Sequence, residues 1–279
     1  MPTLSFLERH HFVLRRLHSL TGIVPIGVFL IAHLVTNSSL FWGKAGLRGE
    51  HAELSLAEGG VYYFQKEVAW INEQVPHLVL IELTLWGSIA FHSLLGLYYA
   101  TTGKRNTVHY PHMDNWRYSL QRWSGYFGIL FIFYHVATLR WGWTFLVPGG
   151  AKWSHDFAAS TLALALRGGE SVTAAGLAVS VFYFAGITLL IYHFANGLWT
   201  AAITWGLTIS EHSQRRWGWA CLGIGSGLMA AGWAALFSAV LLEPSGARKI
   251  EQKFMGAAAS GLEAATPATP ERAVVRSGN

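Results

Sequence analysis

The chain has 279 residues, of which 52% are hydrophobic and only 13% are charged, and its mean hydropathy is +0.33. This composition argues against an ordinary soluble domain and favours a chain embedded in a lipid bilayer. The formal net charge of +5 does not indicate a nucleic-acid-binding protein, because the basic residues are spread over the flanks of apolar segments.

Five apolar segments follow one another along the chain. A spanning helix needs roughly 20 apolar residues, and the third segment meets this length if it ends at the interface near Arg140. The first segment is of span length and follows a basic lead, so it does not have the form of a cleavable signal peptide. The segments are residues 17–42, 76–102, 123–139, 172–209 and 217–242. We predict an all-α membrane protein with five transmembrane helices.

The connections and the end of the chain have their own patterns. Residues 61–72 form an amphipathic segment, and residues 157–166 are predicted to form a short helix along the membrane interface. We expect residues 1–242 to form a single transmembrane domain. From Pro244 onward the composition shifts to Ala, Gly, Pro, Thr and Ser, so residues 243–279 are expected to be a flexible or only partly helical tail.

The distribution of Lys and Arg predicts the orientation. The lead, with Arg9, Arg15 and Arg16, and the connections at 103–122 and 210–216 are compact and basic. The other two connections are longer, and acidic residues dilute their positive charge. By the positive-inside rule the N-terminus lies inside, and with five spans the C-terminus lies outside.

Each of the first four spans carries one histidine at membrane depth: His33, His92, His135 and His193. An ionisable group there is costly to bury, so an intramembrane histidine is a functional hypothesis. At 1.5 Å per residue, His33 and His135 share a level nearer the outside, and the other two share a level nearer the inside. The interval from His33 to His92 is 59 residues and that from His135 to His193 is 58. The first four spans therefore form two similar hairpins.

Two imidazoles at equal depth on facing helices are the arrangement that bis-histidine haem ligation requires. Zinc is disfavoured because each level offers two histidines and no further ligand at the usual spacing. Covalent haem attachment is excluded because the chain has no Cys-x-x-Cys-His motif. We predict a bundle that binds two haems b. The alternative is a haem-free channel, transporter or structural anchor in which the histidines only form hydrogen bonds.

Two glycines follow the inner histidines at the same interval. Gly96 and Gly197 each lie four residues after a histidine, on the same helix face, where they leave room for a porphyrin edge. The alternative is that they only allow close packing of helices.

Haem propionates are anionic and should meet cations or hydrogen-bond donors near the membrane surfaces. On the inner side the candidates, which could also contact a quinone headgroup, are Arg16, His18 and Arg122. On the outer side the candidate is Arg140.

At these residues the sequence resembles the cytochrome b558 membrane subunits of succinate:menaquinone oxidoreductases, the single-anchor, di-haem type shared with quinol:fumarate reductases. The resemblance covers about residues 12–240 and rests on RRLHSLTGIVPIGVFLIAHLVTN, FHSLLGLYYA, LQRWSGYFGILFIFYHVATLR and HFANGLWTAAITWGLTIS. It implies five helices, a cytoplasmic N-terminus and four ligating histidines. His92 and His193 would hold the haem nearer the cytoplasmic subunits, and His33 with His135 the distal one. The long outer connections and the tail depart from the family pattern.

The resemblance implies an anchor that performs no dicarboxylate chemistry itself. A flavoprotein (FAD) subunit would oxidise succinate in the tricarboxylic acid cycle, and an iron–sulfur subunit would relay the electrons. This chain would pass them through two haems to or from menaquinone in the bacterial cytoplasmic membrane. Glu82, near the outer end of the second span, is a candidate proton acceptor for quinol oxidation.

Two alternatives within electron transfer remain open. The same anchor could work as a quinol:fumarate reductase, or the chain could be the di-haem cytochrome b of another membrane dehydrogenase, such as a formate dehydrogenase or a hydrogenase. The sequence leaves a higher oligomer of the complex open.

Overall fold

The computed structural model describes residues 6–74, 78–102 and 113–265, and within these ranges the regular structure is helical. Of the basic connection predicted at 103–122, residues 103–112 lie outside the described part, as do the final residues 266–279. The prediction is wrong for residues 113–122, which form the first part of a helix instead of a loop. The helices are α1 (Phe6–Arg9), α2 (His11–Ile23), α3 (Pro25–Trp42), α4 (Leu56–Gln74), α5 (Leu78–Thr102), α6 (Met113–Leu139), α7 (Ala158–Arg167), α8 (Ala174–Thr204), α9 (Glu211–Leu241) and α10 (Pro244–Ala265).

Four stretches of the described chain are long and apolar enough to cross a membrane: α2 with α3, α5, α8 and α9. Helix α6 has 27 residues but is not one of the four, since polar residues such as Arg117 and Gln121 occupy its first part. For the residues that the structure describes, the prediction of an all-helical protein with several helices able to span a membrane is confirmed. The count of five spans stays a prediction.

The first predicted span is interrupted between α2 and α3. Pro25 has no backbone N–H, and it stands at the first position of α3, where a helix needs none. The preceding Val24 still donates its N–H to the Leu20 carbonyl at 2.9 Å. The interruption separates the half that carries His18 from the half that carries His33.

Helix α8 lies at the centre of the bundle and packs against α2, α6 and α9, while α3 packs on α9 and α5 on α2. Small residues allow the close approaches. A Cβ on Gly186 of α8 would collide with the Phe131 ring of α6, and one on Gly232 of α9 would lie 2.6 Å from Ile187. Packing over small residues is the usual basis of helix association in membranes, where lipid offers no hydrophobic driving force. These contacts bring α6 and α8, which carry His135 and His193, against each other.

Helices α4, α7 and α10 pack together at the end of the bundle where α3 ends, and we call them the α4–α7–α10 lobe. The helix predicted at 157–166 is confirmed as α7, and the amphipathic segment at 61–72 lies within α4. The apolar core of the lobe is continuous with that of the bundle. Where the sequence predicts a flexible or partly helical tail, residues Pro244–Ala265 form a helix, because α4 and α7 offer it an apolar surface.

The N-terminus of α7 is capped from the other two helices of the lobe. The residue before α7 is a phenylalanine, whose side chain cannot cap the helix. Instead, Gln65 Oε1 of α4 accepts the N–H of Ala158 at 3.0 Å. Glu251 Oε1 of α10 accepts the N–H groups of Ala159 and Ser160 at 2.7 and 3.1 Å. Because unsatisfied N–H groups at a helix start are costly, these contacts explain why two fully buried polar side chains stabilise the lobe.

Candidate functional site

The four intramembrane histidines meet two by two. The ring centroids of His92 on α5 and His193 on α8 lie 6.1 Å apart, with their planes at 80°. Those of His33 on α3 and His135 on α6 lie 5.7 Å apart, with their planes at 85°. We call His92 and His193 the near pair and His33 and His135 the far pair, by their distance from His18 on α2. The structure thus brings together the residues that depth and interval had paired.

Backbone carbonyls orient both rings of the near pair. His92 Nδ1 lies 2.9 Å from the carbonyl oxygen of His18, and His193 Nδ1 lies 3.0 Å from that of Gln121. A carbonyl oxygen only accepts, so each Nδ1 carries the hydrogen and each Nε2 keeps its lone pair. This is the tautomer in which a histidine ligates a metal while its other nitrogen donates to a backbone carbonyl.

A glycine lies against each of these rings, four residues after the residue that supplies the carbonyl. A Cβ on Gly22 would lie 2.6 Å from His92 Cε1, and one on Gly125 would lie 3.1 Å from His193 Cε1. A larger residue at Gly22 would push the His92 ring away from its carbonyl partner, whereas an alanine at Gly125 would require a shift of only a few tenths of an ångström. Sequence reasoning missed these two glycines, although their separation of 103 residues is close to the 101 residues between His92 and His193.

Gly96 and Gly197 face the side chains of the same carbonyl-bearing residues. A Cβ on Gly96 would lie 3.1 Å from His18 Cε1, and one on Gly197 would lie 3.8 Å from Gln121 Nε2. Each glycine therefore admits a polar side chain of the neighbouring helix, one turn from a histidine of the near pair. Room for a porphyrin edge at these glycines stays a prediction.

The far pair has a different environment. The amide of Asn37 donates to the carbonyl of His33 at 2.7 Å and lies 3.4 Å from its Nδ1. His135 packs against the rings of Phe131 and Tyr183, each with its centroid 5.9 Å away. His135 Nδ1 is buried and has no hydrogen-bond partner in the described chain. Since buried polar atoms are normally satisfied, this ring is the least satisfied of the four.

His18 lies directly on the near pair. Its ring stacks on His92 with a centroid distance of 4.0 Å and an interplanar angle of 12°. The Nδ1 of His18 and the hydroxyl of Tyr99 are both buried without a partner among the described residues, and the two rings meet edge to face at 5.9 Å. Of the predicted propionate or quinone contacts, His18 therefore touches a predicted ligand directly.

The two predicted inner arginines lie against aromatic rings. The guanidinium carbon of Arg16 lies 3.7 Å from the centroid of the Phe12 ring and 5.8 Å from that of Trp205. Arg122 lies 4.3 Å from the ring centroid of Tyr118 and donates to its hydroxyl at 2.5 Å. Both are cation–π arrangements of the kind found at membrane interfaces.

Glu82 and Arg140, predicted to have separate roles, form one ion pair. Arg140 donates from Nε to Glu82 Oε1 at 2.8 Å and from a terminal nitrogen to Oε2 at 2.9 Å. The pair joins α5 to the chain that follows α6. Its two parallel hydrogen bonds have the fork geometry of the stronger arginine–carboxylate contacts.

The donor set of both pairs fits iron held between two imidazoles. Among the residues that the structure describes, no three His, Cys, Asp or Glu side chains are grouped as a metal site of higher ligand count would need. Structural zinc sites take four ligands and catalytic ones three, whereas a low-spin haem takes two axial imidazoles. The near pair adds the hydrogen-bonded Nδ1 groups that usually accompany ligation of a metal by histidine.

No family model matches the chain. The succinate dehydrogenase cytochrome b558 subunit of Bacillus subtilis (strain 168) is 32% identical to it over 230 residues, which are 82% of this chain and 97% of the relative. The chain belongs to the family of succinate dehydrogenase cytochrome b558 subunits. The family resemblance drawn from four sequence segments is thereby confirmed. The two histidine pairs can accordingly be considered as parts of a cytochrome subunit.

Proposed function

We propose that the chain is the membrane-anchor cytochrome b subunit of a succinate dehydrogenase, in which the near and far pairs each hold one haem b and carry electrons between an iron–sulfur subunit and menaquinone. The observation that carries this proposal is the meeting of four half-buried histidines as two pairs, 6.1 and 5.7 Å between ring centroids. Membership of the cytochrome b558 family supports it.

The chain's own residues hold and orient the ligands. In the near pair, His92 and His193 donate to backbone carbonyls, which keeps each Nε2 free for iron. In the far pair, His33 stacks on Phe29, and His135 packs against Phe131 and Tyr183. Each haem supplies a one-electron centre whose potential depends on ligand hydrogen bonds, charge and burial.

The residues near the histidines have proposed contacts of their own. His18, Arg16 and Arg122 would meet propionates or a quinone headgroup at the near level, and Arg140 would meet a propionate at the far one. Support is strongest for His18, since its unpartnered Nδ1 lies beside a ligand ring. Gly96 and Gly197 would lie along the porphyrin edge.

Glu82 is the proposed proton acceptor for quinol oxidation. Both of its carboxylate oxygens accept hydrogen bonds from Arg140. A carboxylate held in this way favours its charged form, so proton uptake would require the pair to open. Glu82 would therefore act only when a quinol or a movement of α5 displaces the guanidinium.

The remaining parts of the proposal concern the complex. A flavoprotein subunit with FAD and an iron–sulfur subunit would perform the dicarboxylate chemistry and the first electron transfers. The anchor would lie in the bacterial cytoplasmic membrane with its N-terminus in the cytoplasm, residues 1–242 would form its transmembrane domain, and the near pair would face the partner subunits. The complex could also form a higher oligomer.

A spectrum of the purified complex tests the proposal. Two haems b per chain and a reduced-minus-oxidised α band are expected. Changing His193→Leu should remove one haem and leave the other, and His135→Leu should remove the other one. The exposed His212 provides the control, since His212→Leu should retain both. Absence of an α band, or two haems in both ligand variants, would refute the proposal.

A further inference from the structure

A polar network crosses from α6 to α8 beside the near pair. Asn196 Oδ1 accepts two hydrogen bonds from Arg117, from Nε at 3.1 Å and from a terminal nitrogen at 2.9 Å. The Asn196 amide donates to Gln121 Oε1 at 2.8 Å. The Gln121 amide donates to the carbonyl of His193 at 3.1 Å. We call Arg117, Asn196 and Gln121 the Asn196 network.

The network reaches His193 from two directions. Gln121 holds the backbone of His193 through its side chain and the ring of His193 through its carbonyl. Asn196 lies three residues after His193, about 4.5 Å along the helix axis, and is buried with 6% of its surface exposed. The guanidinium that Asn196 holds is therefore within roughly one helical turn of a predicted haem ligand.

The first hairpin lacks this network at the equivalent positions. Three residues after His92 stands Leu95, which is buried with 7% of its surface exposed. The residue whose carbonyl holds His92 is His18 instead of Gln121. Since the two hairpins otherwise use the same carbonyl and glycine arrangement, helix packing at this position does not require a polar group. The network is an addition on one side of the near pair.

A cation in the bundle is costly unless other groups stabilise it. Arg117 is half-buried, and its guanidinium meets the Asn196 oxygen and the Trp199 ring, 3.9 Å from the ring centroid. Among the side chains that the structure describes, no carboxylate lies within ion-pair distance of it. Both partners are neutral, so the positive charge of Arg117 is not cancelled by them. In surroundings of low polarity, the electrostatic effect of this charge reaches farther than it would in water.

We propose that Asn196 and Arg117 are positioning residues that set the reduction potential of the near haem. Asn196 fixes the guanidinium beside His193, and the positive charge stabilises the reduced haem, which carries one electron more than the oxidised haem. The network also holds the Gln121 carbonyl against His193 Nδ1. This inference rests on the proposed function, because it requires a haem on His193.

Redox titration of the whole complex, followed at the α band, tests the inference. Asn196→Leu introduces the residue that the first hairpin already uses at this position, so it is a matched variant for packing. Arg117→Gln removes the charge and keeps an N–H hydrogen-bond donor, whereas Arg117→Lys keeps the charge. We expect Asn196→Leu and Arg117→Gln to lower the midpoint potential of the near haem and leave the far haem unchanged. Arg117→Lys should retain most of the parental value.

The far haem serves as an internal reference, and the ligand variants of His193 and His135 identify which transition belongs to which pair. Unchanged midpoints for both haems in Asn196→Leu and Arg117→Gln would overturn the inference and leave the proposed function intact. Equal shifts of both haems would also overturn it. If Asn196→Leu loses the near haem, the test rests on the two Arg117 variants. A lower near-haem midpoint in Arg117→Gln than in Arg117→Lys would support the inference, and equal midpoints would overturn it. A complex without any haem would instead refute the proposed function.

Discussion

The near and far pairs contain the same side chains, but the protein orients them by different means. In the near pair, Nδ1 of His92 and of His193 lies 2.9 or 3.0 Å from a backbone carbonyl oxygen. In the far pair, His135 Nδ1 has no hydrogen-bond partner among the described residues, and its ring lies between Phe131 and Tyr183. Hydrogen bonds to the backbone therefore hold one pair, whereas side-chain packing holds the other.

The difference determines what each pair depends on. A backbone carbonyl moves only with its helix, so the near pair depends on the distance between neighbouring helices. Phe131 and Tyr183 belong to the hydrophobic cluster that continues into Ala158 and Ala159 of the α4–α7–α10 lobe. The far pair therefore depends on a core that extends outside the bundle. Substitutions at the contacts between helices should therefore affect the near haem. Substitutions in the lobe should affect the far haem.

The largest effect is expected for Gly22→Ala. The new Cβ would lie 2.6 Å from His92 Cε1, and since the ring is rigid, it must leave its carbonyl partner or the helices must separate. We expect loss of the near haem and retention of the far one, measured as haem per chain. Gly87→Ala on α5 is the control, because a Cβ there meets nothing within 4 Å. Two haems with parental potentials in Gly22→Ala would contradict this view of the near pair.

In the lobe, Glu251→Leu should destabilise the start of α7. It leaves the N–H groups of Ala159 and Ser160 buried without acceptors, at a cost of about 1–3 kcal/mol. We expect faster hydrogen exchange in α7. We also expect a change in the content or midpoint potential of the far haem, with both quantities unchanged for the near haem. Glu251→Gln retains an oxygen acceptor and should have the smaller effect. A change confined to the near haem would contradict the inference that the far pair, and not the near pair, depends on the lobe.

The lobe should also depend on pH through the same residue. Burial raises the pKa of Glu251, although the hydrogen bonds from Ser160 and Ala159 oppose this. Because the folded pKa is above the unfolded one, the stability contribution is present at low pH and is lost as the pH rises through the folded pKa. Protection of α7 amides should fall over that range relative to Glu251→Gln, which does not titrate. An equal pH dependence in both proteins would show that another group is responsible.

A smaller effect is expected for Gly125→Ala. Its Cβ would lie 3.1 Å from His193 Cε1, so a shift of a few tenths of an ångström would accommodate it. Both haems should be retained, and the midpoint potential of the near haem alone should change. A loss of haem as complete as in Gly22→Ala would mean that the Cβ distance does not govern the near pair.

The smallest structural effect is expected for Glu82→Gln. The ion pair is partly exposed, with 28% of the Glu82 side chain and 62% of the Arg140 side chain accessible, and exposed pairs contribute about 0.2–1 kcal/mol. Both haems should be retained while quinol oxidation slows. Arg140→Gln is the matched control, since it breaks the same pair but keeps the carboxylate. Equal slowing in both variants would assign the effect to the ion pair instead of to proton transfer.

Several features of the site could be predicted from the sequence because they follow from helix geometry. Equal depth and nearly equal intervals paired His33 with His135 and His92 with His193, since a helix rises by a constant amount per residue. The carbonyl partners of the near pair could not be predicted in this way. Every residue has a carbonyl, and only the lateral packing of α2 on α5 and α6 on α8 selects those of His18 and Gln121.

The polar contacts between helices were also beyond sequence reasoning. Glu82 and Arg140 are 58 residues apart, and two candidate roles were assigned to two residues that form one ion pair. The sequence pattern gave no role to Asn196 or Gln121. Their partners depend on the rotation of each helix about its axis. When a helix is apolar on all of its faces, the sequence does not show which face meets which neighbour.

By itself the sequence determined the helical membrane character of the chain, its family, and the levels at which its histidines lie. These properties depend on composition and on distance along one helix, which are local. Only the tertiary structure decided which carbonyls hold the near pair, which core surrounds the far pair, and that α10 caps α7. Those properties depend on distances between helices that are far apart in the chain, and packing alone sets them.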